Sequence, residues 1–402
     1  MDRRHFLGLA GALGAAGMTT RLLAAPATDA RLLFVFLRGA YDAANTLVPV
    51  SSDFYYESRP TLAIARPEAG NAQAAHRLDA DWGVHPALAK GLGKLLSERQ
   101  VVFVPFAGVP GVSRSHFEAQ EWLELGMAGK EGEQRPPTEG MLYRLAHATG
   151  GIDAVAFTDS LPSTFRGAGN IANVGLDRQP GAALPPGLHD ELLRRYRGSP
   201  LEPVLREGMS LQREVTEVFD EEMLEADRGA NSVSGFAREI RRVARLMRER
   251  FNLAFVDVGG WDTHAAQGGA TGPLASRLEQ LGAGLAAYAE DMGPDWKRTV
   301  VVVVSEFGRT FRENGNRGTD HGYGTVYWVL GGSVPGGKVA GRQVRLAGPK
   351  SLNQDRDWPV LNDYRAVLGG VFEEVYGLSA KQLATVYGKV APADLSLVRP
   401  WA

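Results

Sequence analysis

Five short runs of apolar, largely β-branched residues constrain the fold more than any other feature of this sequence. They lie at 32–37, 101–106, 154–157, 253–258 and 299–304. A strand that is apolar on both faces must be covered on both sides, as it is in a parallel sheet flanked by helices. Because stretches with helical periodicity separate the runs, the sequence predicts a doubly wound α/β fold with a mostly parallel sheet.

The stretches between the strands predict helices at 86–96, 117–125, 140–148 and 274–291. From Asp190 to Arg250 the chain is charged, and Ile240, Val243 and Met247 are spaced for one buried helical stripe. We expect one main α/β domain over 28–402 that carries a helical insertion at about 188–250.

The first residues have the pattern of an export signal. Arg3 and Arg4 precede an apolar run rich in Gly and Ala, and Ala25-Pro26-Ala27 supplies a cleavage site. The run is shorter than the roughly 20 apolar residues that a membrane-spanning helix needs. We therefore predict a twin-arginine signal peptide at 1–27, delivery to the periplasm by the twin-arginine export machinery, and no stable membrane span. The alternative is an ordinary buried N-terminal helix.

Composition limits the chemistry that the chain can perform. The sequence has no cysteine, so any metal must be held by Asp, Glu and His. The formal net charge is −2, and no long basic run is present to attract nucleic acid. We expect no nucleic-acid partner.

Polar residues follow several of the predicted strands. Ligands of open parallel sheets bind in the crevice at the carboxyl ends of the strands, so the loops that carry these residues should converge. An Asp, Glu and His set suits a divalent metal such as Zn, Mn, Mg or Ca. Taken alone, each aspartate is explained by a helix cap or a turn, and each histidine by a structural role; it is their combination after apolar strands that indicates a site. The predicted metal ligands are Asp42, Asp262, His264, Glu306, Asp320 and His321.

Ser115 and His116 stand where a helix is predicted to begin. Backbone N–H groups at a helix start favour an anion, and a serine there can act as a nucleophile beside a metal. The alternative is a capping box, in which Ser113 or Ser115 pairs with Glu118. Arg309 or Arg114 is a candidate for binding an oxyanion through its guanidinium group. Ser115, His116 and Arg309 are thus the predicted catalytic residues.

The order of several motifs resembles the bacterial family catalogued as domain of unknown function 1501. They are the twin-arginine signal followed by FLRGAYDAANTLVP, HPAL, SRSHFEAQ, GGWDTH, SEFGRT and GTDHGYG. That family is similar to the alkaline phosphatase and sulfatase superfamily. This resemblance implies an α/β core and metal-assisted hydrolysis of phosphate or sulfate esters.

The resemblance also implies roles for individual residues. Asp42 corresponds to the metal aspartate of the first strand, and Ser115 to the nucleophile. Asp262 with His264, Glu306 and His321 correspond to further metal ligands. The expected activity is that of an exported hydrolase acting on a small anionic ester or a glycan-derived substrate. The alternative is a periplasmic binding or assembly protein that keeps the fold without the chemistry.

Overall fold

A computed structural model describes residues 29–111, 113–129, 137–158, 160–174, 188–199, 201–203, 206 and 235–401. The predicted signal peptide at 1–27 lies outside the described residues. The same holds for 207–234, the middle of the predicted insertion.

Nine strands of the described residues form one sheet, and all five predicted strands belong to it. In spatial order they are β11 (Lys338–Val339), β5 (Val101–Gly108), β10 (Thr325–Gly331), β9 (Thr299–Val304), β1 (Arg31–Leu37), β8 (Leu253–Val258), β6 (Ala154–Phe157) and β7 (Ala172–Asn173), and β12 (Asn362–Asp363) also pairs with β5. The expected mostly parallel α/β sheet is confirmed.

One strand runs against the others. β10 is antiparallel to both of its neighbours, β5 and β9, whereas β1 is parallel to β8 and β9. Since β5 and β9 both run opposite to β10, they run in the same direction as each other. The carboxyl ends of β1, β5, β8 and β9 therefore lie at one edge of the sheet, where the polar loops follow.

The sheet separates two apolar cores because its strands are buried on both faces. Leu33, Val35 and Leu37 of β1 belong to one core, and Leu32, Phe34 and Phe36 belong to the other. Alternate side chains of a strand point to opposite faces, so this division is the consequence of the apolar run recognised in the sequence.

Helices cover both faces. The first core contains residues of α3 (Pro86–Leu92), α8 (Gly235–Glu249) and α9 (Pro273–Met292), and the second those of α6 (Met141–Ala148), α10 (Tyr364–Tyr376) and α11 (Ala380–Tyr387). The remaining helices are α1 (Ala43–Thr46), α2 (Asp53–Ser58), α4 (Lys94–Ser97), α5 (His116–Leu125) and α7 (Leu188–Arg195). α8 packs against α9, and its predicted stripe of Ile240, Val243 and Met247 is fully buried.

One helical prediction needed correction, and the helices α10 and α11 were missed. The helix predicted at 86–96 is divided into α3 and α4 at Gly93, whose φ of 40° lies in the left-handed region that other residues adopt at a cost. α10 and α11 were not predicted, although Asp363 and Ser379 cap them through their side chains. Asp and Ser are preferred N-cap residues, so these two starts were recognisable.

Three short strands form a second sheet beside the first: β2 (Leu47–Val48), β4 (Gly83–Val84) and β3 (His76–Arg77), in that order. Among the described residues, no helix has both the length and the apolar character that crossing a lipid bilayer requires.

Candidate metal centre

Three histidines from three loops turn their Nε2 atoms toward one point. The Nε2 of His321 lies 2.9 Å from that of His116 and 3.0 Å from that of His264. His116 begins α5, His264 follows β8, and His321 lies in the loop between β9 and β10. The sequence reasoning included all three residues, but it assigned His116 to catalysis and not to the metal.

The carboxylate of Asp262 completes this cluster. Its Oδ1 is 2.9 Å from the Nε2 of His264 and 3.3 Å from that of His321, and its Oδ2 is 3.7 Å from the Nε2 of His116. We call His116, Asp262, His264 and His321 the histidine cluster. All four side chains are partly exposed, so an ion from solvent can reach them.

Each imidazole uses its other nitrogen to bind an acceptor. The Nδ1 of His116 is 2.7 Å from Glu306 Oε1, that of His321 is 2.8 Å from the backbone oxygen of Arg114, and that of His264 is 3.3 Å from Asp320 Oδ1. A carbonyl or carboxylate oxygen can only accept, so Nδ1 donates in each ring. The Nε2 of each ring faces the cluster, where it lies near the other rings and the carboxylate of Asp262. Metal-binding histidines are oriented in this way.

This donor set fits a divalent metal. Burial lowers the pKa of His321, and the charges of His116 and Arg309 lower it further, while the bond to the carbonyl of Arg114 opposes them. The neutral form of His321 is therefore favoured, and its Nε2 lies close to those of His116 and His264. A cation placed among the three Nε2 atoms would accept their lone pairs. Neutral imidazoles with one carboxylate are ligands that Zn²⁺ and related ions accept.

Arg309 fixes Asp262 and three loops. Its guanidinium forms a close ion pair with Asp262 and donates to the carbonyls of Gly39, Ala40 and Thr319. Burial raises the pKa of Asp262, but the hydrogen bond and charge of Arg309 outweigh burial, and the net shift is downward. The side chain of Arg309 is fully buried and its donors are occupied. It is thus a positioning residue, and the predicted oxyanion contact is not the role that this geometry supports.

Glu306 lies behind His116 and not among the converging atoms. Its Oε1 accepts from Gly39 N at 2.9 Å and from Gln120 Nε2 at 2.9 Å, in addition to His116. Burial raises the pKa of Glu306, yet the hydrogen bonds from His116, Gln120 and Ser305 outweigh it, so the net pKa is lowered. The carboxylate is ionised and saturated with donors. Glu306, predicted as a metal ligand, thus contacts the Nδ1 of His116 and does not face the histidine cluster.

Gly39 permits this arrangement through its backbone. Its φ is +113°, and a Cβ atom built on it would lie 2.8 Å from the backbone nitrogen of Asp262. Only glycine combines that conformation with so close an approach. The loop after β1 therefore brings one N–H to Glu306 and one carbonyl to Arg309.

Asp320 orients His264 from the solvent side. Its Oδ1 also accepts from Asn314 Nδ2 at 3.0 Å. The hydrogen bond from Asn314 lowers the pKa of Asp320, and that from His264 adds to the effect although burial opposes it. Half of the side chain is exposed. Asp320, predicted as a metal ligand, contacts the Nδ1 of His264, on the side of the ring away from the cluster.

Asp42 is paired elsewhere. It is fully buried, and Arg59 binds both of its carboxylate oxygens, with Nη1 2.5 Å from Oδ2 and Nη2 3.0 Å from Oδ1. The predicted metal aspartate is thus part of a buried ion pair. Arg59 was not recognised in the sequence, since a single arginine before a proline carries no pattern that marks it as buried.

Ser115 is exposed at the N-cap of α5, immediately before His116, and its side chain makes no capping hydrogen bond. The predicted capping box does not form: Ser113 lies before the N-cap, and its Oγ donates to Glu118 at 2.6 Å and accepts from Ser115 N at 3.2 Å. The hydroxyl group of Ser115 therefore has no structural role at the helix start.

Other residues of this site were missed by the sequence reasoning. Gln120 and Glu124 follow His116 at intervals of four on one face of α5, and Arg38 links them: its Nη1 donates to Gln120 Oε1 at 2.8 Å and its Nη2 is 2.9 Å from Glu124 Oε1. The spacing itself was a usable signal, because residues four apart share a helix face.

Comparison with known proteins decides the family. The sequence profile of the family described as "Protein of unknown function (DUF1501)" matches residues 188–386. The chain belongs to this family. The match includes Asp262, His264 and His321 of the histidine cluster, whereas His116 lies before it. No curated protein matches this DUF1501 chain in sequence.

Solved structures give distant likenesses. This DUF1501 chain is similar to i-CgsB with bound k-i-k-neocarrahexaose, at 10% identity and TM-score 0.38, over 88% of this chain and 74% of that one. It is similar to a 2-O GAG sulfatase, at 8% sequence identity and TM-score 0.37, over 93% of this chain and 76% of that one. It is also similar to the lipoteichoic acid synthase LtaP from Listeria monocytogenes, at 7% sequence identity and TM-score 0.37, over 88% of this chain and 73% of that one. TM-scores this low carry no argument about activity.

Proposed function

We propose that the protein is an exported, metal-dependent hydrolase of phosphate or sulfate esters. The observation that carries the proposal is the convergence of three Nε2 atoms, each on a ring whose Nδ1 is already bonded to an acceptor. His116, Asp262, His264 and His321 would hold one divalent ion. Such an ion supplies Lewis acidity toward the ester oxygen and lowers the pKa of a bound nucleophile.

Ser115 is the proposed nucleophile because its hydroxyl is exposed, unused in capping and adjacent to His116. Its Oγ would form a bond to phosphorus or sulfur while the bond to the leaving alkoxide breaks, and its proton would pass through solvent to that alkoxide. Water would then release the product and restore the serine. The substrate class is a small anionic ester, including esters on glycans.

The experiment combines metal analysis with a substrate panel. Purified mature protein should contain a divalent metal and hydrolyse at least one of a series of aryl phosphate monoesters, phosphate diesters and sulfates. Ser115→Ala should retain the metal and the thermal stability and lose turnover by orders of magnitude. Ser113→Ala is the matched control, and it should cost about 1 kcal/mol of stability, because it removes the hydrogen bonds of the Ser113 hydroxyl to Glu118 and Ser115. An active Ser115→Ala enzyme would remove Ser115 from the mechanism.

One observation favours the binding or assembly alternative. Arg309, the predicted oxyanion group, is fully buried and occupied by carbonyl oxygens and Asp262. Metal without turnover on the whole panel would support a protein that binds anionic groups without cleaving them.

Export by the twin-arginine route and periplasmic location belong to the same proposal, on the strength of Arg3, Arg4 and Ala25-Pro26-Ala27. Replacing both arginines by lysine should retain the precursor in the cytoplasm. Unchanged export of that variant would contradict the assignment.

A further inference from the structure

The ion pair of Asp42 and Arg59 is buried, and the hydrogen-bonding atoms of both side chains have partners within the protein. Both residues have no exposed surface. Besides the two bonds from Arg59, the carboxylate accepts from Gln267 Nε2 at 2.7 Å and from Ala44 N at 3.2 Å. Both oxygens of Asp42 therefore already have cationic or N–H partners.

Arg59 also holds the loop that follows β9. Its Nε donates to the carbonyl of Phe311 at 2.7 Å, its Nη2 to that of Thr310 at 3.0 Å, and its Nη1 to Asn45 Oδ1 at 2.8 Å. Phe311 and Thr310 directly follow Arg309, which fixes Asp262. The guanidinium of Arg59 is thus an immobile positive charge inside the protein.

Gln267 connects this pair to the histidine cluster. Its Oε1 accepts from Thr263 Oγ1 at 2.7 Å and from Thr319 Oγ1 at 2.9 Å. Thr263 lies between Asp262 and His264, and Thr319 precedes Asp320 and His321. A continuous line of hydrogen bonds therefore runs from Asp42 to both loops that carry ligands.

We infer that Asp42, Arg59 and Gln267 form a fixed hub that positions the ligand loops, and that the chain binds one divalent ion and not two. The inference rests on the proposed metal centre. The guanidinium of Arg59 neutralises Asp42 where the family resemblance implies a metal ligand. A metal at Asp42 would have to displace Arg59 and leave its charge buried and unpaired, which carries a large desolvation cost.

The first test measures stoichiometry on the intact mature protein. Metal-stripped chain is titrated with Zn²⁺, and the bound ions are counted by native mass spectrometry and by metal analysis after dialysis. One ion per chain is the expected result. Two ions per chain would overturn the inference and leave the proposed function standing, whereas no bound ion would overturn both.

The second test separates positioning from simple stability. Thr263→Val removes the hydroxyl that binds Gln267 and keeps the side-chain shape, while Thr263→Ser keeps the hydroxyl. Thr263→Val should raise the Kd for Zn²⁺ roughly tenfold, as is typical when a residue behind the ligands is lost, with stoichiometry unchanged. Thr263→Ser should bind as the wild type does. Equal Zn²⁺ affinity of both variants would contradict the positioning role.

Gln267→Leu extends the test to the hub itself. It should weaken Zn²⁺ binding at least as much as Thr263→Val, because it disconnects both loops at once. Gln100→Leu is the control: Gln100 also accepts a side-chain hydrogen bond, from Trp296 Nε1 at 2.9 Å, but directly before β5, at the opposite end of the sheet. A loss of affinity in Gln100→Leu equal to that in Gln267→Leu would mean that general destabilisation is the cause, and would overturn the inference.

Discussion

His85 and the histidine cluster are contrasting environments, and they differ in the partners of their ring nitrogens. His85 is fully buried and both ring nitrogens are satisfied: Nδ1 accepts from Ala87 N at 3.1 Å, and Nε2 is 3.0 Å from the carbonyl of Gly269. In the histidine cluster each Nδ1 has an acceptor, and the three Nε2 atoms face one another and the carboxylate of Asp262. A histidine whose two nitrogens bond separate backbone groups is structural, whereas ring nitrogens that converge with a carboxylate indicate a site for an ion.

The two environments also respond oppositely to substitution. Removal of His85 takes away the bond that caps α3 and the bond that links it to Gly269, so it should affect folding. Removal of a cluster histidine takes away one hydrogen bond at a partly exposed position and one nitrogen that faces the cluster, so it should affect ion binding and leave the metal-free fold largely intact. Four measurements test this contrast, in order of decreasing effect.

His321→Ala should produce the largest effect, because His321 contacts both other rings of the cluster. The Kd for Zn²⁺ should rise by more than about 100-fold, beyond the range typical of residues that only orient ligands. The melting temperature of the metal-free protein should not fall. His147→Ala is the control, since His147 bonds the carbonyl of Tyr143 within α6. Unaltered Zn²⁺ binding by His321→Ala would refute the metal centre.

Glu306→Gln should weaken Zn²⁺ binding by roughly 10- to 100-fold, because the negative charge behind His116 raises the basicity of its Nε2. Isothermal titration calorimetry on metal-free protein measures this change. Glu374→Gln serves as the control: Glu374 accepts from the backbone nitrogens of Leu397 and Val398, remote from the cluster. If both substitutions change the affinity equally, Glu306 has no specific link to the ion.

Asp320→Asn should have a smaller effect, about a few-fold in Kd, for two reasons. Its contact with His264 is long at 3.3 Å, and half of its side chain is exposed, so solvent screens the charge. The same titration should therefore rank Asp320→Asn below Glu306→Gln. The reverse order would show that His264, and not His116, is the more strongly supported ligand.

His85→Gln should have the smallest effect, about 1 kcal/mol in the free energy of unfolding from the lost capping contact. Burial lowers the pKa of His85, although the bond to Gly269 and the charge of Asp42 oppose it. The folded state then binds fewer protons than the unfolded state, whose histidine titrates near about 6.5. Its stabilisation is complete above that pH and declines as the pH falls below it.

Urea unfolding of metal-free protein at about pH 7.5 and about pH 5.5 measures this difference, since the two values bracket the pKa of a free histidine. Wild type should lose more stability on acidification than His85→Gln does. An identical loss in both would assign the pH dependence to other groups.

The sequence was most informative where one local pattern determines the outcome. Apolar runs required strands buried on both faces, and the polar residues after β8 and β9 do approach one another. β10 was not among the predicted strands, and its antiparallel direction was not predictable, because its composition is that of a buried strand whichever way it runs. The predicted strands followed from the apolar runs, and the candidate loops from the polar residues that come after them.

Which polar residues face the histidine cluster, and which bind other groups of the protein, was not predictable, because it depends on contacts between distant segments. Asp42 and Glu306 are carboxylates after strands, as expected of ligands, but Arg59 and the start of α5 determine what they bind. Whether such a carboxylate is available to a metal ion or is bound by an N–H donor depends on which partner the fold brings close to it. The sequence shows the carboxylate and does not show the partner.

The order of the sheet has a consequence for how the protein is made. β1 leaves the ribosome long before its neighbours in the sheet, β8 and β9, which begin only at Leu253 and Thr299. At ordinary rates of synthesis the apolar segment Arg31–Leu37 waits on the order of ten seconds or more for a partner strand. During that time it is an aggregation hazard. The nascent chain should therefore depend on a chaperone, and its binding site should be the β1 segment.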